Sequence, residues 1–142
     1  MVQQHPKQDQ AFIYKFDIVN FYPSISRELL KKALDFAAAF VEISAEDRDV
    51  ILDTKQSLLY SAETAWVKKD APNSFDVTMG SFDGAESCEL VGTYLLCQLP
   101  EDIRKKVGLY RDGGLGAFSG TAKRIECIKK QFCKVFANNG SK

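Results

Sequence analysis

The stretch from Ala11 to Val19, A-F-I-Y-K-F-D-I-V, constrains the fold more than any other part of the chain. Its aromatic and β-branched residues suit a largely buried strand, which Phe21-Tyr22-Pro23 ends. Inside this apolar run stands Asp17. A carboxylate in such company is expensive unless it is exposed at an edge, paired, or bound to a cation. Taken alone, it also suits an acid that caps a turn or closes a strand.

The rest of the chain alternates helical and extended patterns. Ser24 or Ser26 can cap a helix with Glu28 in its first turn and Leu30, Leu34, Ala37 and Val41 on its core face. Ser44-Ala45-Glu46-Asp47 opens a second helix by the same logic, expected to run to about Ser61 with Val50, Ile51, Leu58 and Leu59 as its stripe. Short strands are expected at Thr64 to Lys69 and Phe75 to Thr78, around the turn-rich Asp70-Ala71-Pro72-Asn73. Helical spacing returns from Gly84 to Leu99. Strands at Val107 to Arg111 and Leu115 to Phe118 then flank the tight-turn signal Asp112-Gly113-Gly114, and a helix runs from Thr121 to Phe136. The order β-α-α-ββ-α-ββ-α predicts an α+β domain, an antiparallel sheet with helices on one side. Residues 1–10 read as a polar lead-in, 11–138 as the domain and 139–142 as a tail.

Composition narrows the function classes. With 45% hydrophobic and 27% charged residues in 142, the chain has enough apolar material for one core. Nineteen basic residues balance nineteen acids, whereas a self-sufficient nucleic-acid binder is usually basic. The balance is uneven, because six basic residues face one acid, Glu126, between Thr121 and Lys142. Cys88, Cys97, Cys127 and Cys133 form no C-x-x-C pair and His5 is the lone histidine, so a zinc site is not expected. Cys88, Cys97 and Cys127 fall in apolar helical patterns as reduced thiols, which reads as an intracellular chain. No membrane partner is expected, since no apolar run approaches a bilayer span. There is no phosphate-binding Gly-x-x-x-x-Gly-Lys-Ser/Thr and no second histidine for a nucleophilic triad.

Three segments carry chemistry. The first is Phe16-Asp17-Ile18-Val19-Asn20-Phe21-Tyr22-Pro23. The second is Thr78-Met79-Gly80-Ser81-Phe82-Asp83-Gly84, small residues that let a ligand approach the backbone, or simply a loop entering a helix. The third is Leu109-Tyr110-Arg111-Asp112-Gly113-Gly114, a turn that also presents a hard oxygen ligand.

In this order the segments resemble the reverse transcriptase family, the RNA-directed DNA polymerases of retroelements. The palm of that family has an Asp at a strand end with an aromatic five residues on, as Asp17 and Tyr22 do here. A Gln/Met-Gly loop before a helix follows, matched by Met79-Gly80-Ser81, and then a Tyr-x-Asp-Asp hairpin, matched by Tyr110-Arg111-Asp112-Gly113. The resemblance implies a palm-like sheet packed on helices and two-metal nucleotidyl transfer on an RNA or DNA template-primer with a deoxynucleoside triphosphate. It implies Asp17, Asp112 and the Ile18 carbonyl as ligands of Mg²⁺, or of Mn²⁺. Tyr22 would be the steric gate against a ribose 2′-hydroxyl, and Gly80 would lie near the incoming nucleotide and template.

The departures matter equally. Gly113 stands where the family has its second Asp, and Asp83-Gly84-Ala85 stands where many members have Ser-Pro. Fingers and thumb are expected to be absent. The expectation is therefore a decayed palm, inactive as this isolated chain and prone to self-association through an uncovered strand. The alternative is a non-catalytic α+β module whose basic terminal helix contacts nucleic acid or a protein.

Overall fold

A computed structural model describes residues 10–56, 58–67 and 75–138. In chain order the elements are β1 (Gln10–Asp17), α1 (Phe21–Ser24), α2 (Arg27–Ala38), α3 (Ala45–Asp53), β2 (Leu58–Ser61), β3 (Thr64–Val67), α4 (Gly84–Cys97), α5 (Glu101–Arg104), β4 (Val107–Tyr110), β5 (Gly113–Gly120) and α6 (Ala122–Asn138). The domain is α+β. Its main sheet is antiparallel with strand order β1-β5-β4, and β2-β3 form a separate hairpin.

Alternation of side chains gives the main sheet two unlike faces. Ile13, Lys15 and Asp17 of β1 share an exposed face with Leu115 and Ala117 of β5, and Ile13 is 80% exposed. Phe12, Tyr14, Phe16 and Phe118 point the other way, toward α6. The Phe16 ring lies 5.2 Å from Phe132, and Tyr14 meets Phe118 edge-on at 6.2 Å. Ile125 and Ile128 of α6 are buried in this layer, and burial of each such side chain is worth about 1.5–3 kcal/mol. A second cluster joins Leu29, Leu30, Ala33 and Leu34 of α2 to Cys88, Val91 and Leu95 of α4 and to Phe21 and Tyr22.

Caps fall where the sequence places them. Ser26 accepts the Leu29 N–H at 3.1 Å and Ser44 accepts the Asp47 N–H at 3.0 Å. Other expectations need correction. The helix from Ser44 ends at Asp53, and Leu58–Ser61 is a strand paired with Thr64–Val67. Pairing across the Ala62-Glu63 turn outweighs the helical spacing of the leucines. Val41 lies past the end of α2 and is exposed rather than in the core. Of the strand expected at Phe75 to Thr78, only Phe75 bridges, to Gln56. The turn expected at Asp70 to Asn73 lies outside the described residues, as do positions 1–9 and 139–142. The single turns α1 and α5 are additions.

The hairpin also differs by one step. Its corner is Arg111-Asp112, not Asp112-Gly113-Gly114, because Tyr110 pairs with Gly113 and both glycines belong to β5. Gly114 sits beneath Phe16, and a Cβ added there would collide with Cζ, Cε1 and Cε2 of the Phe16 ring. At Gly113 an added Cβ meets only the Tyr110 carbonyl oxygen, at 3.7 Å. Gly114→Ala should therefore destabilise the domain by about 1–3 kcal/mol through overpacking. Gly113→Ala should stay within roughly 0.5 kcal/mol of the parent, as surface substitutions usually do. Urea melts of the two variants check the contrast, and equal stabilities would rule out this packing.

Candidate functional site

Pairing of β1 with β5 brings the first and third segments together. Asp17 is the register partner of Gly113, and one residue further the Ile18 N–H donates to the Asp112 carbonyl at 2.8 Å. Asp17 is exposed at the end of β1, Asp112 is half-exposed at the hairpin corner, and Ile18 is buried. Beyond Ile18 the chain reverses through Asn20, which takes a left-handed φ of 53° that asparagine tolerates. Phe21 and Tyr22 then turn inward, and Tyr22 is only 7% exposed.

Tyr22 meets α4 at Cys88, with which its phenol is hydrogen-bonded. Burial raises the Tyr22 hydroxyl above its ordinary 10.0, and the Cys88 and Asp112 charges push the same way while Arg111 pulls down. Burial likewise lifts the Cys88 thiol from 9.0 to about 11. The Tyr22 bond opposes that rise, Asp112 and Glu89 add to it, and Arg111 offsets it. Because Tyr22 and Cys88 both feel Asp112 and Arg111, these four side chains occupy one neighbourhood. Arg111 holds a left-handed φ of 55°, with its guanidinium 5.1 Å from the centre of the Tyr110 ring.

The second segment is a separate loop. Gly80 has a φ of +85°, a conformation that explains the glycine by itself, and nothing lies within 4 Å of where its Cβ would be. The Ser81 hydroxyl donates to the Thr78 carbonyl at 2.8 Å, and the Gly84 N–H donates to the Ser81 carbonyl at 3.3 Å. Lys55, 4% exposed, forms an ion pair with Asp83 that ties this loop to the chain after α3. The loop enters α4 about one helical turn before Cys88. Backbone pairing thus sets Asp17 and Ile18 beside Asp112, while Tyr22 turns into the core near Cys88 and Gly80 belongs to the loop that enters α4.

The sequence reading missed Cys88, Arg111 and the Lys55–Asp83 pair. Cys88 is buried as expected of a small hydrophobe, but only the fold reveals its tyrosine partner. Between the end of β1 and α6 lies a cavity of about 520 Å³ lined by apolar residues such as Phe16, Val19, Phe132 and Phe136, with Asp17 at one side. The hard-oxygen donors near the hairpin are Asp17 and Asp112. Among the described residues no group of three or more His, Cys, Asp or Glu could hold a metal ion. Beside Asp17 and Asp112 the Cβ position of Gly113 is open.

No protein-family model, curated protein or solved structure matches the chain. Among the described residues no helix is long and apolar enough to cross a membrane.

The thiol at Cys88 supplies a pH test. A group whose folded pKa is raised contributes stability that is present below its unfolded value, near 9, and lost as pH rises through the folded value of about 11. Stability should fall between these limits, and the fall should be shallower in Cys88→Ala. Denaturant melts across that window measure it, and identical slopes in the two proteins would remove the assignment.

Proposed function

We propose that this domain is a reverse-transcriptase-like palm with an incomplete acidic site, derived from an RNA-directed DNA polymerase and catalytically silent as an isolated chain. The observation that carries the reading is the pairing of Asp17 with Gly113 and of Ile18 with Asp112. It joins the Asp-containing strand to the Tyr-x-Asp hairpin in an antiparallel sheet with one face open.

In this reading Asp17 and Asp112, with the Ile18 carbonyl, are the residues that would hold Mg²⁺ or Mn²⁺. Their hard oxygens suit either ion, although the pair is one carboxylate short. A bound divalent ion supplies charge neutralisation for a triphosphate and lowers the pKa of a primer hydroxyl. The chain's own contributions are positional. Cys88 holds the buried Tyr22 ring in place, where it would exclude a ribose 2′-hydroxyl and favour deoxynucleotides. Gly80 marks the loop that would approach the nucleotide and the RNA or DNA template-primer.

Gly113 is the point of failure. An Asp there would face the same side of the sheet as Asp17, its cross-strand partner. A unit charge about 4 Å from a cation contributes at most ~4 kcal/mol per charge at an effective dielectric of ~20. The parent chain should show no primer extension with Mg²⁺. Gly113→Asp should tighten Mg²⁺ binding by at least about tenfold, or ~1.4 kcal/mol, while Gly113→Asn, of equal size and no charge, should not. Gly114→Asp is no useful control, because its Cβ would collide with Phe16. Calorimetric titration decides, and equal affinities in the Asp and Asn variants would defeat the metal assignment.

A further inference from the structure

Helix α6 sorts its cations into two groups. Ile125, Ile128, Phe132 and Phe136 form the packed face. Arg124 and Lys129 lie on the flanks, each near a carboxylate: Arg124 with Asp102 at 3.8 Å and Lys129 with Glu126 at 3.8 Å. Lys123, Lys130 and Lys134 lie on the crest opposite the packed face. Their spacings of seven and four residues keep them within about 20° of one line at 3.6 residues per turn. All three are exposed, and none makes an ion pair with a described residue.

The crest is not held by an ion pair to a described residue, and the like charges four residues apart at Lys130 and Lys134 repel. Its length of about 16 Å suits a rod of regularly spaced anions. Each strand of a nucleic-acid duplex offers one phosphate per ~3.4 Å of axis. The crest points away from the sheet, while alternation along β1 sends the Asp17 side chain to the face shared with Ile13 and Lys15, at the strand end that borders the cavity.

We propose that Lys123, Lys130 and Lys134 form a sequence-independent docking surface for the phosphate backbone of double-stranded nucleic acid, on the side of the domain away from Asp17. A duplex held there leaves the candidate site uncovered, so this surface does not depend on the polymerase reading.

The test uses the whole chain and a mixed-sequence DNA duplex of about 20 base pairs, followed by fluorescence anisotropy between 50 and 200 mM salt. Neutralising three phosphates gives a log–log slope near −2.7, an affinity loss of about 40-fold over that range. The triple variant Lys123→Gln, Lys130→Gln, Lys134→Gln should lose this binding, with Gln retaining helix propensity. The flank variant Arg124→Gln, Lys129→Gln should keep the parent slope. Circular dichroism verifies that both fold.

A second readout needs no variant. Cys127 is exposed on the same crest, whereas Cys133 lines the cavity. Bound duplex should slow alkylation of Cys127 several-fold and leave Cys133 at its free rate. The proposal is overturned by absence of duplex binding at 50 mM salt, by equal loss in both variants, or by equal protection of the two cysteines. Tighter binding to anionic phospholipid vesicles than to duplex would overturn it too, and assign the crest to a membrane surface.

Discussion

Everything at the candidate site depends on the register between β1 and β5. Successive side chains in a strand alternate faces, so pairing Asp17 with Gly113 sends Ile13, Lys15 and Asp17 outward and Phe12, Tyr14 and Phe16 toward α6. A slip of one residue would press Asp17 and Lys15 into the aromatic layer and expose three rings. The register is also keyed sterically. Phe16 lies over Gly114 where no side chain fits, and its ring continues into Phe132 and Phe136. One phenylalanine thereby links strand pairing, helix docking and the placement of the neighbouring carboxylate.

That key explains the displaced hairpin corner. Asp112-Gly113-Gly114 carries strong turn chemistry, and local preference would place the glycines at the bend. Phe16 claims Gly114 as a strand position, which draws Gly113 into β5 and leaves the corner to Arg111-Asp112. Arg111 then takes a left-handed backbone conformation that typically costs a non-glycine residue about 1–2 kcal/mol. Stacking of its guanidinium on Tyr110 offsets part of that strain. The burial pattern of a distant strand overrode a local turn rule, and no window of sequence around the hairpin contains that information.

The legible parts of the chain were those governed by local chemistry. The β1 strand, the Ser26 and Ser44 caps and the long helices α4 and α6 follow from periodicity and capping residues within a few positions of one another. Leu58 and Leu59 were misread because apolar residues seven and eight positions after Ile51 fit a helical stripe and a short hairpin equally well. The Asp17-to-hairpin adjacency was anticipated through the order of three motifs, not through any property of a single one. The tyrosine–cysteine contact and the Lys55–Asp83 pair were invisible, since each joins elements whose approach is set by core packing. A buried lysine leaves no trace in composition, and its cost is met by a carboxylate that sequence spacing does not connect to it.

On the proposed reading, the same geometry would let a chain lose an acidic site and keep its fold. With Gly113, the hairpin corner is Arg111-Asp112, and Asp17 faces a residue without charge. An Asp at that position would set two carboxylates opposite each other across the strands. That arrangement is destabilising unless a cation lies between them. In the absence of metal, Gly113 therefore avoids the repulsion that an Asp there would introduce opposite Asp17. The backbone tolerates the change, since glycine fits an extended strand position whose Cβ meets no crowding. Acidic clusters that bind ions are places where stability is held below its attainable value for function. Removing one member raises stability while lowering affinity for the ion. The aromatic layer under the sheet, which fixes the register, is untouched by the exchange. Fold and site are separable here because Phe16 packs on one face of β1 and Asp17 projects from the other.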